Sequence, residues 1–263
     1  PDTKAQQGLI AAARRYWNVP QDAGVLAAPG ASALIACIPS LMSPRAVCIV
    51  EPTYNEHAAA FRTHGWRVTQ DPTTDCRVLV SPNNPTGTYA AESELRSGLT
   101  VVDESFCDME PGRSLIAHAT RPNTIILKSF GKFWGLAGLR LGFAIGDPTL
   151  IDALAERIGP WAVSGPALHV GMDALSDESW SKDTIERLMQ EAARLDRVVS
   201  RKGAEPLGGT GLFRLYRVDD ARAWQDSLAT HQIWSRVFPY STEWIRLGLP
   251  HPQDWDRLEA ALS

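Results

Sequence analysis

The sequence has little that would direct the chain to a membrane, to a nucleic acid or to an oxidising compartment. Its apolar runs fall short of the roughly 20 residues that a membrane helix needs, and no basic-then-apolar leader is found at its start. A net charge of −4 gives no basic field for nucleic acid or anionic lipid. The four cysteines lie in or beside apolar runs without C-x-x-C spacing. We therefore expect reduced thiols in a cytoplasmic protein that has neither a disulfide framework nor a metal site.

The length of 263 residues suffices for one large domain, or for a large and a small one. With 44% hydrophobic and 21% charged residues, the composition is typical of a soluble globular protein. Because the chain begins with Pro1 rather than methionine, we expect an N-terminal segment of the protein to be missing from this sequence.

Short apolar runs alternate with helix-length segments over most of the chain. The runs predict strands at 47–50, 78–80, 100–102, 125–127 and 141–145, and helices are predicted at 3–16, 55–64 and 148–157. None of the strand runs alternates polar and apolar residues, which is typical of parallel strands covered on both faces. The alternation predicts an α/β fold, with a large domain over 1–200 built on a mostly parallel sheet flanked by helices.

The pattern changes towards the C-terminus. The predicted elements there are a long amphipathic helix at 183–202, strands at 211–217 and 244–247, and a helix near 219–230. They predict a smaller α+β domain over 201–263. The glycine cluster at 208–211 does not stand between a strand and a helix as a dinucleotide-binding loop would, so it is interpreted as a turn before a strand.

The segment that follows the run 125–127 has the residue types of a cofactor site. Ser129 precedes Lys132 by three residues, and Arg140 returns eight residues later across a glycine-rich turn. This arrangement suits an aldehyde cofactor that bears a phosphate, because the lysine can form an imine while the hydroxyl and the guanidinium hold the phosphate. An S-x-x-K pattern alone is common in unrelated proteins, so the interpretation depends on the motifs around it.

Four further motifs precede this segment. They are Ala28-Pro29-Gly30-Ala31-Ser32, Glu51-Pro52-Thr53-Tyr54, Ser81-Pro82-Asn83-Asn84-Pro85-Thr86-Gly87 and Asp103-Glu104-Ser105-Phe106. In this order and with these gaps, the chain resembles the fold-type I, pyridoxal-phosphate-dependent aminotransferase superfamily along its whole length. The resemblance implies an enzyme with pyridoxal 5'-phosphate as its cofactor, a small-molecule substrate and a homodimeric assembly.

The resemblance implies a role for each motif around the cofactor ring. Lys132 matches the imine-forming lysine, and Lys128, at the strand end without the S-x-x spacing, is its competitor. Asp103 matches the acid that keeps the ring nitrogen protonated, since an adjacent carboxylate favours the cationic form; a helix N-cap is the alternative. Asn84 matches the donor to the phenolic oxygen. Tyr54 matches the ring that stacks on the pyridine face, with an ordinary core aromatic as its alternative.

The cofactor phosphate needs donors of hydrogen bonds and positive charge. Ala31 and Ser32 open a helix-like segment at 33–38, and a helix N-terminus presents free N–H groups to an anion. Ser129 adds a hydroxyl and Arg140 a bidentate guanidinium.

Two arginines near the C-terminus match the substrate-binding positions of the superfamily. Arg246 resembles the arginine that binds the substrate α-carboxylate through two parallel hydrogen bonds. Arg236, ten residues earlier, matches the position that contacts the phosphate of phosphorylated substrates, although a surface arginine is the alternative.

Within the superfamily, the chain most resembles the threonine-phosphate decarboxylase branch, which is related to histidinol-phosphate aminotransferase. Phe106 stands where many members have a tyrosine, so one hydrogen bond to the phenolic oxygen is lost, as in this branch. The resemblance implies decarboxylation of O-phospho-L-threonine to (R)-1-amino-2-propanol phosphate in cobalamin biosynthesis. An aminotransferase acting on histidinol phosphate or an aromatic amino acid is the alternative, because both reactions begin in the same way. A non-catalytic relative would be expected to lack Lys132 or Asp103, and both are present.

Overall fold

The computed structural model describes residues 2–262. Its helices are α1 (Thr3–Tyr16), α2 (Ala31–Cys37), α3 (Asn55–Thr63), α4 (Pro148–Ile158), α5 (Gly165–Ser176), α6 (Glu178–Arg201), α7 (Ala221–Thr230) and α8 (Trp255–Ala261). Its strands are β1 (Gly24–Ala28), β2 (Ala46–Ile49), β3 (Arg67–Thr69), β4 (Arg77–Val80), β5 (Thr100–Asp103), β6 (Thr124–Ser129), β7 (Gly142–Gly146), β8 (Glu205–Thr210), β9 (Phe213–Arg217), β10 (Arg236–Phe238) and β11 (Ser241–Gly248). In the described part of the chain, no helix is long and apolar enough to cross a membrane.

The chain divides into two compact units. The first comprises the residues up to Asn84 together with Tyr89–Glu178, and the second comprises Pro85–Thr88 and the residues from Ser179 onwards. The division at residue 200 that the sequence predicts falls at the end of α6, whereas the compact units divide at its start. The chain therefore enters the second unit for four residues, returns to the first, and leaves it again where α6 begins.

The first unit contains a seven-stranded sheet in the order β1-β7-β6-β5-β4-β2-β3. Strands β3, β2, β4, β5 and β6 are parallel, but β7 runs antiparallel to both of its neighbours. The expectation that the apolar run 141–145 belongs to the parallel set is wrong. The loop 130–141 joins β6 to its neighbour β7 without a crossover helix, and such a direct connection requires antiparallel strands.

The sheet of the first unit is buried on both faces, as parallel strands require. All four residues of β5 are buried, and in β6 only Ser129 is partly exposed. Helices α2, α3 and α4 contribute Leu34, Phe61 and Leu154 to the core on one side of the sheet. All four cysteines are free thiols, and Cys37 is the one of the four that is partly exposed.

The second unit contains an antiparallel sheet in the order β10-β11-β9-β8. Helices α6, α7 and α8 pack on it through an apolar core that includes Leu195, Leu228 and Trp255. Helix α6 begins at Glu178, five residues before the predicted start. Its first turns bury Ser181 and Thr184, whose small polar side chains give no apolar pattern.

The glycine cluster of the second unit is only in part the turn that the sequence predicts: Gly211 stands in the turn before β9, whereas the first two glycines belong to the end of β8. Gly208 and Gly209 lie within the strand, and the Gly209 N–H donates to the Thr86 carbonyl over 3.0 Å. A methyl group built on Gly208 would lie 2.3 Å from the same carbonyl oxygen. The two glycines therefore allow the backbone of Pro85–Thr88 to lie directly against β8.

Candidate active site

Three parallel strands of the first unit end side by side. Val80, Asp103 and Leu127 are register partners in β4, β5 and β6, so the loops that follow these strands begin at one edge of the sheet. The carboxyl edge is where open α/β sheets bind their ligands. Of the predicted site residues, Asp103 closes β5, while Asn84 and Lys132 lie on the loops that follow β4 and β6.

Asp103 is buried and held by a set of hydrogen bonds. His57 Nε2 donates to Oδ2 over 2.8 Å, and Ser105 donates to Oδ1 from its N–H over 3.0 Å and from its hydroxyl over 2.5 Å. Burial opposes ionisation, but the hydrogen bond and charge of His57 and the two bonds from Ser105 outweigh it. They hold the pKa of Asp103 below its ordinary value, so the side chain is a carboxylate at neutral pH.

His57 is a site residue that the sequence analysis missed. It lies in the first turn of α3 and is almost fully buried. The ring of Tyr54, three residues earlier, lies edge-on to the imidazole with 6.1 Å between the ring centroids. Burial and the charges of Glu56 and Asp103 raise the pKa of the Tyr54 phenol. The structure thus brings the predicted Tyr54 and Asp103 together and places His57 between them.

Several predicted phosphate-binding groups meet at the N-terminus of α2. A methyl group built on Gly30, the N-cap residue, would lie 2.8 Å from Nη2 of Arg140, and one built on Gly142 would lie 2.4 Å from the Ala31 nitrogen. Gly142 is also the register partner of Ser129. The guanidinium, the first amide of the helix and the strand-end hydroxyl are therefore close neighbours in a cradle that side chains larger than glycine would fill.

Two other predicted cofactor residues, Ser32 and Asn84, are more exposed than Asp103. Ser32 is exposed in the first turn of α2. Asn84 is partly buried, and its neighbour Asn83 fixes the loop by accepting from the Thr53 hydroxyl over 2.6 Å and donating to the Pro52 carbonyl over 3.0 Å. These bonds join the loop of Asn84 to the loop that ends at Tyr54.

Lys132 lies on the loop between β6 and β7. Its Nζ is 5.5 Å from the ring centroid of Phe106, three residues after Asp103, so the lysine extends towards the segment that follows β5. Lys132 stands beyond the strand end and is exposed.

Lys128, the alternative lysine, has a different environment. It is almost fully buried, and its Nζ lies 2.7 Å from Glu104 Oε2 and 4.0 Å from Asp108 Oδ1. Burial alone would lower the pKa of Lys128, but the charges of Glu104 and Asp108 outweigh it and raise that pKa. A buried, protonated and ion-paired ammonium is not a nucleophile.

The two predicted substrate-binding arginines lie together in the second unit. Arg236 in β10 and Arg246 in β11 are directly opposite register partners, and such partners project on the same face of a sheet. Burial, and then the charge of Arg236, lower the pKa of Arg246. The Arg246 guanidinium also lies 5.1 Å from the ring centroid of Phe213. Two like charges placed opposite each other are unfavourable unless an anion joins them.

The sheet order, the buried acid at a strand end and the glycine-lined anion cradle define a fold-type I enzyme of the aminotransferase type. The chain belongs to the aminotransferase class I and II family, whose sequence model matches residues 1–262.

Individual proteins of this kind are similar to the chain over most of its length. The threonine-phosphate decarboxylase of Pseudomonas aeruginosa is 40% identical, with 98% of this chain and 83% of that protein covered. The threonine-phosphate decarboxylase of Sinorhizobium sp is 35% identical over 98% of this chain and 82% of that protein. The structure of histidinol-phosphate aminotransferase from Sinorhizobium meliloti in complex with pyridoxal-5'-phosphate has the same fold, with a TM-score of 0.84, 20% identity, and 98% and 80% of the two chains covered.

Proposed function

We propose that the chain is a pyridoxal 5'-phosphate-dependent lyase that decarboxylates O-phospho-L-threonine to (R)-1-amino-2-propanol phosphate, in the cytoplasm, as a step of cobalamin biosynthesis. The cofactor is pyridoxal 5'-phosphate. The observation that carries the choice of substrate is the pair Arg236 and Arg246 on adjacent strands. The similarity over 98% of the chain to two proteins named threonine-phosphate decarboxylase supports it.

The residues of the first unit fit this cofactor. The cradle of Ala31, Ser129 and Arg140 suits its phosphate, because it combines a helix N-terminal amide, a hydroxyl and a guanidinium. The ionised Asp103 suits its ring nitrogen, and Lys132 would attach it covalently. When bound, the cofactor accepts the electron pair of a bond that is broken at the substrate α-carbon.

We assign the remaining roles from the family resemblance, and contacts within the first unit support the role of Asp103. His57 and Ser105 keep Asp103 ionised and fixed in position, so that it can hold a proton on the ring nitrogen. Tyr54 would pack against the ring, Asn84 would donate to the phenolic oxygen, and Ser32 would be a further phosphate donor. The Lys132 amine would be available to hold or move a proton at the substrate α-carbon.

Phosphothreonine carries two anionic groups, and this distinguishes it from the alternative substrates. Histidinol phosphate has a phosphate but no carboxylate, and an aromatic amino acid has a carboxylate but no phosphate. Arg246 would bind the carboxylate in bidentate fashion, and Arg236 would bind the phosphate. A substrate with two anionic groups would complement two guanidinium groups that stand opposite each other, which favours phosphothreonine.

The test is an activity assay in which the protein, loaded with pyridoxal 5'-phosphate, is given O-phospho-L-threonine and no keto acid. We expect release of carbon dioxide and formation of aminopropanol phosphate, and no reaction with unphosphorylated L-threonine at the same concentration. Transfer of the amino group to 2-oxoglutarate without gas release would establish the aminotransferase alternative instead. A purified protein that never becomes yellow with the cofactor would indicate a non-catalytic relative.

The variant Arg236→Gln tests the assignment of the substrate phosphate. Loss of a charge-assisted hydrogen bond costs about 1.5–3 kcal/mol, so we expect the KM for phosphothreonine to rise roughly ten- to hundredfold while kcat changes little. Arg222→Gln, at an exposed arginine of α7, is the matched control and should leave KM unchanged. An unchanged KM in Arg236→Gln would remove Arg236 from the site.

A further inference from the structure

A buried charge cluster lies beside the site, formed by Lys128 of β6 and by Glu104 and Asp108 from the segment that follows β5. All three side chains are at most 2% exposed. Glu104 pairs with Lys128 and also accepts from the Ser114 hydroxyl over 2.5 Å and from the Leu115 N–H over 2.6 Å. Burying three charges is costly, and apolar residues of similar volume often give comparable stability. Such a cluster therefore calls for an explanation beyond stability.

Asp108 connects the cluster to two tryptophans. Trp17 Nε1 donates to Oδ1 over 2.8 Å, and Trp134 Nε1 donates to Oδ2 over 3.1 Å. Each carboxylate oxygen thus holds one indole, and all three side chains are buried. One indole belongs to Trp17, the residue that follows α1. The other stands two residues after Lys132.

Besides its hydrogen bond to Asp108, Trp134 has a second contact that fixes the segment carrying Lys132. Its ring stacks on Phe130, with 5.2 Å between centroids and 13° between planes. The Leu136 N–H donates to the Phe130 carbonyl over 3.0 Å, and the Gly135 N–H donates to the Lys132 carbonyl over 3.0 Å. The exposed Lys132 therefore projects from a short closed turn whose anchor is the indole of Trp134.

We propose that Asp108 is a positioning residue for the cofactor site: by binding the Trp134 indole, it fixes the turn from which Lys132 projects. The inference rests on the proposed function in one respect, namely that Lys132 is the lysine that attaches the cofactor. Lys128 lies between the two carboxylates, 2.7 Å from Glu104 and 4.0 Å from Asp108, and so links Asp108 to the residue that follows Asp103. The same rigid group of buried side chains therefore positions both Asp103 and Lys132.

The variant Trp134→Phe tests this role, with Trp17→Phe as its matched control. Each substitution removes one N–H donor to the same carboxylate and keeps an aromatic ring, so the two variants should lose similar amounts of thermal stability. We expect hydrogen exchange of the Gly135 and Leu136 amides in the cofactor-free full chain to become about tenfold faster in Trp134→Phe only, since one buried hydrogen bond is lost there. In Trp17→Phe, the faster exchange should be confined to the end of α1.

The second readout is the rate at which Lys132 captures added pyridoxal 5'-phosphate. We expect it to fall several-fold in Trp134→Phe and to be unchanged in Trp17→Phe, with no substrate needed. Equal loosening of the turn in both variants, or a loosened turn with an unchanged capture rate, would overturn the positioning role. On the unmodified protein, rapid solvent exchange of the Trp134 indole proton by NMR would overturn it too. If phosphothreonine is not a substrate, these results stand, because none of the readouts depends on turnover.

Discussion

Two buried acidic side chains, one at the end of β5 and one five residues after it, have pKa values that are shifted in opposite directions. Asp103 is held by His57 and Ser105 with its pKa lowered, whereas burial, the largest influence on Asp108, raises the pKa of that carboxyl. The position of Asp103 could be predicted, because an acid that follows a buried apolar run is visible in the sequence. His57 could not be predicted, because a single histidine has no pattern and its partner is 46 residues away.

The lowered pKa of Asp103 predicts a pH dependence of stability. The native carboxyl releases its proton at lower pH than the unfolded one, so the ionised group stabilises the fold above the unfolded pKa of about 3.9. This contribution is lost as the pH falls through the native pKa. We expect the free energy of unfolding of the cofactor-free protein to fall more steeply with acidification than that of Asp103→Asn, as measured by urea denaturation between about pH 6 and about pH 2.5.

Asp103→Asn should also be less stable at neutral pH, by about 1–3 kcal/mol, because the substitution disturbs buried hydrogen bonds. Asp152→Asn, at an exposed position of α4, is the control and should follow the unmodified protein at every pH. Parallel pH profiles for the unmodified protein and Asp103→Asn would contradict the interpretation.

Lys132→Ala separates the two lysines of the β6 region. Borohydride treatment of the cofactor-loaded protein should leave a pyridoxyl group on the peptide of Lys132, and Lys132→Ala should carry none and lose essentially all turnover. Peptide mass spectrometry locates the label and the carbon dioxide assay measures turnover, with Lys4→Ala as a control that keeps both. A label on Lys128 would mean that the buried ion pair with Glu104 opens in solution.

At the scale of elements, the apolar runs predicted the strands of the large sheet but not all of their directions. A buried strand has the same composition whichever way it runs, and the reversal of β7 follows from the length and path of the loop before it. The residues at the end of β8 were likewise predicted wrongly because two of them are glycines. Gly208 and Gly209 look like a turn in the sequence, but their place in the strand is set by Thr86, more than a hundred residues away.

The contact between β8 and Pro85–Thr88 predicts a strong effect of one small substitution. Gly87→Ala places a methyl group 2.1 Å from the Gly209 carbonyl oxygen, in a residue with φ of +76°. The backbone conformation alone costs about 1–2 kcal/mol, and the collision adds to it. Gly112→Ala, whose methyl group meets nothing within 4 Å, is the control. Thermal denaturation should show a clear loss for Gly87→Ala and almost none for Gly112→Ala; equal melting temperatures would contradict the close approach.

For the molecule as a whole, the order of the motifs was more informative than any one of them. The motifs that begin at Ala28, Glu51, Ser81 and Asp103 are far apart in the sequence, and the parallel register brings several of them to one edge of the sheet. The pairing of Arg236 with Arg246 could not be predicted, because it depends on a hairpin register that neither residue encodes. The choice between decarboxylation and transamination depends on the orientation of a substrate bond, which no residue type specifies.

The family resemblance predicts a homodimer, and this is a testable property of the whole molecule. Light scattering coupled to size-exclusion chromatography should give twice the mass of one chain at micromolar concentration. Dilution should lower cofactor occupancy together with the dimer fraction if each site needs its partner chain. A monomer that keeps its cofactor at every dilution would contradict the expectation.

The burial of three of the four thiols gives the native protein a single convenient attachment point. A maleimide dye would react at Cys37, at the C-terminal end of α2, while Cys48, Cys76 and Cys107 stay shielded inside the fold. The opposite end of this seven-residue helix forms part of the anion cradle, so the dye would stand about 10 Å from it along the helix. Since the coenzyme absorbs visible light, quenching of the dye would report its arrival and departure in real time.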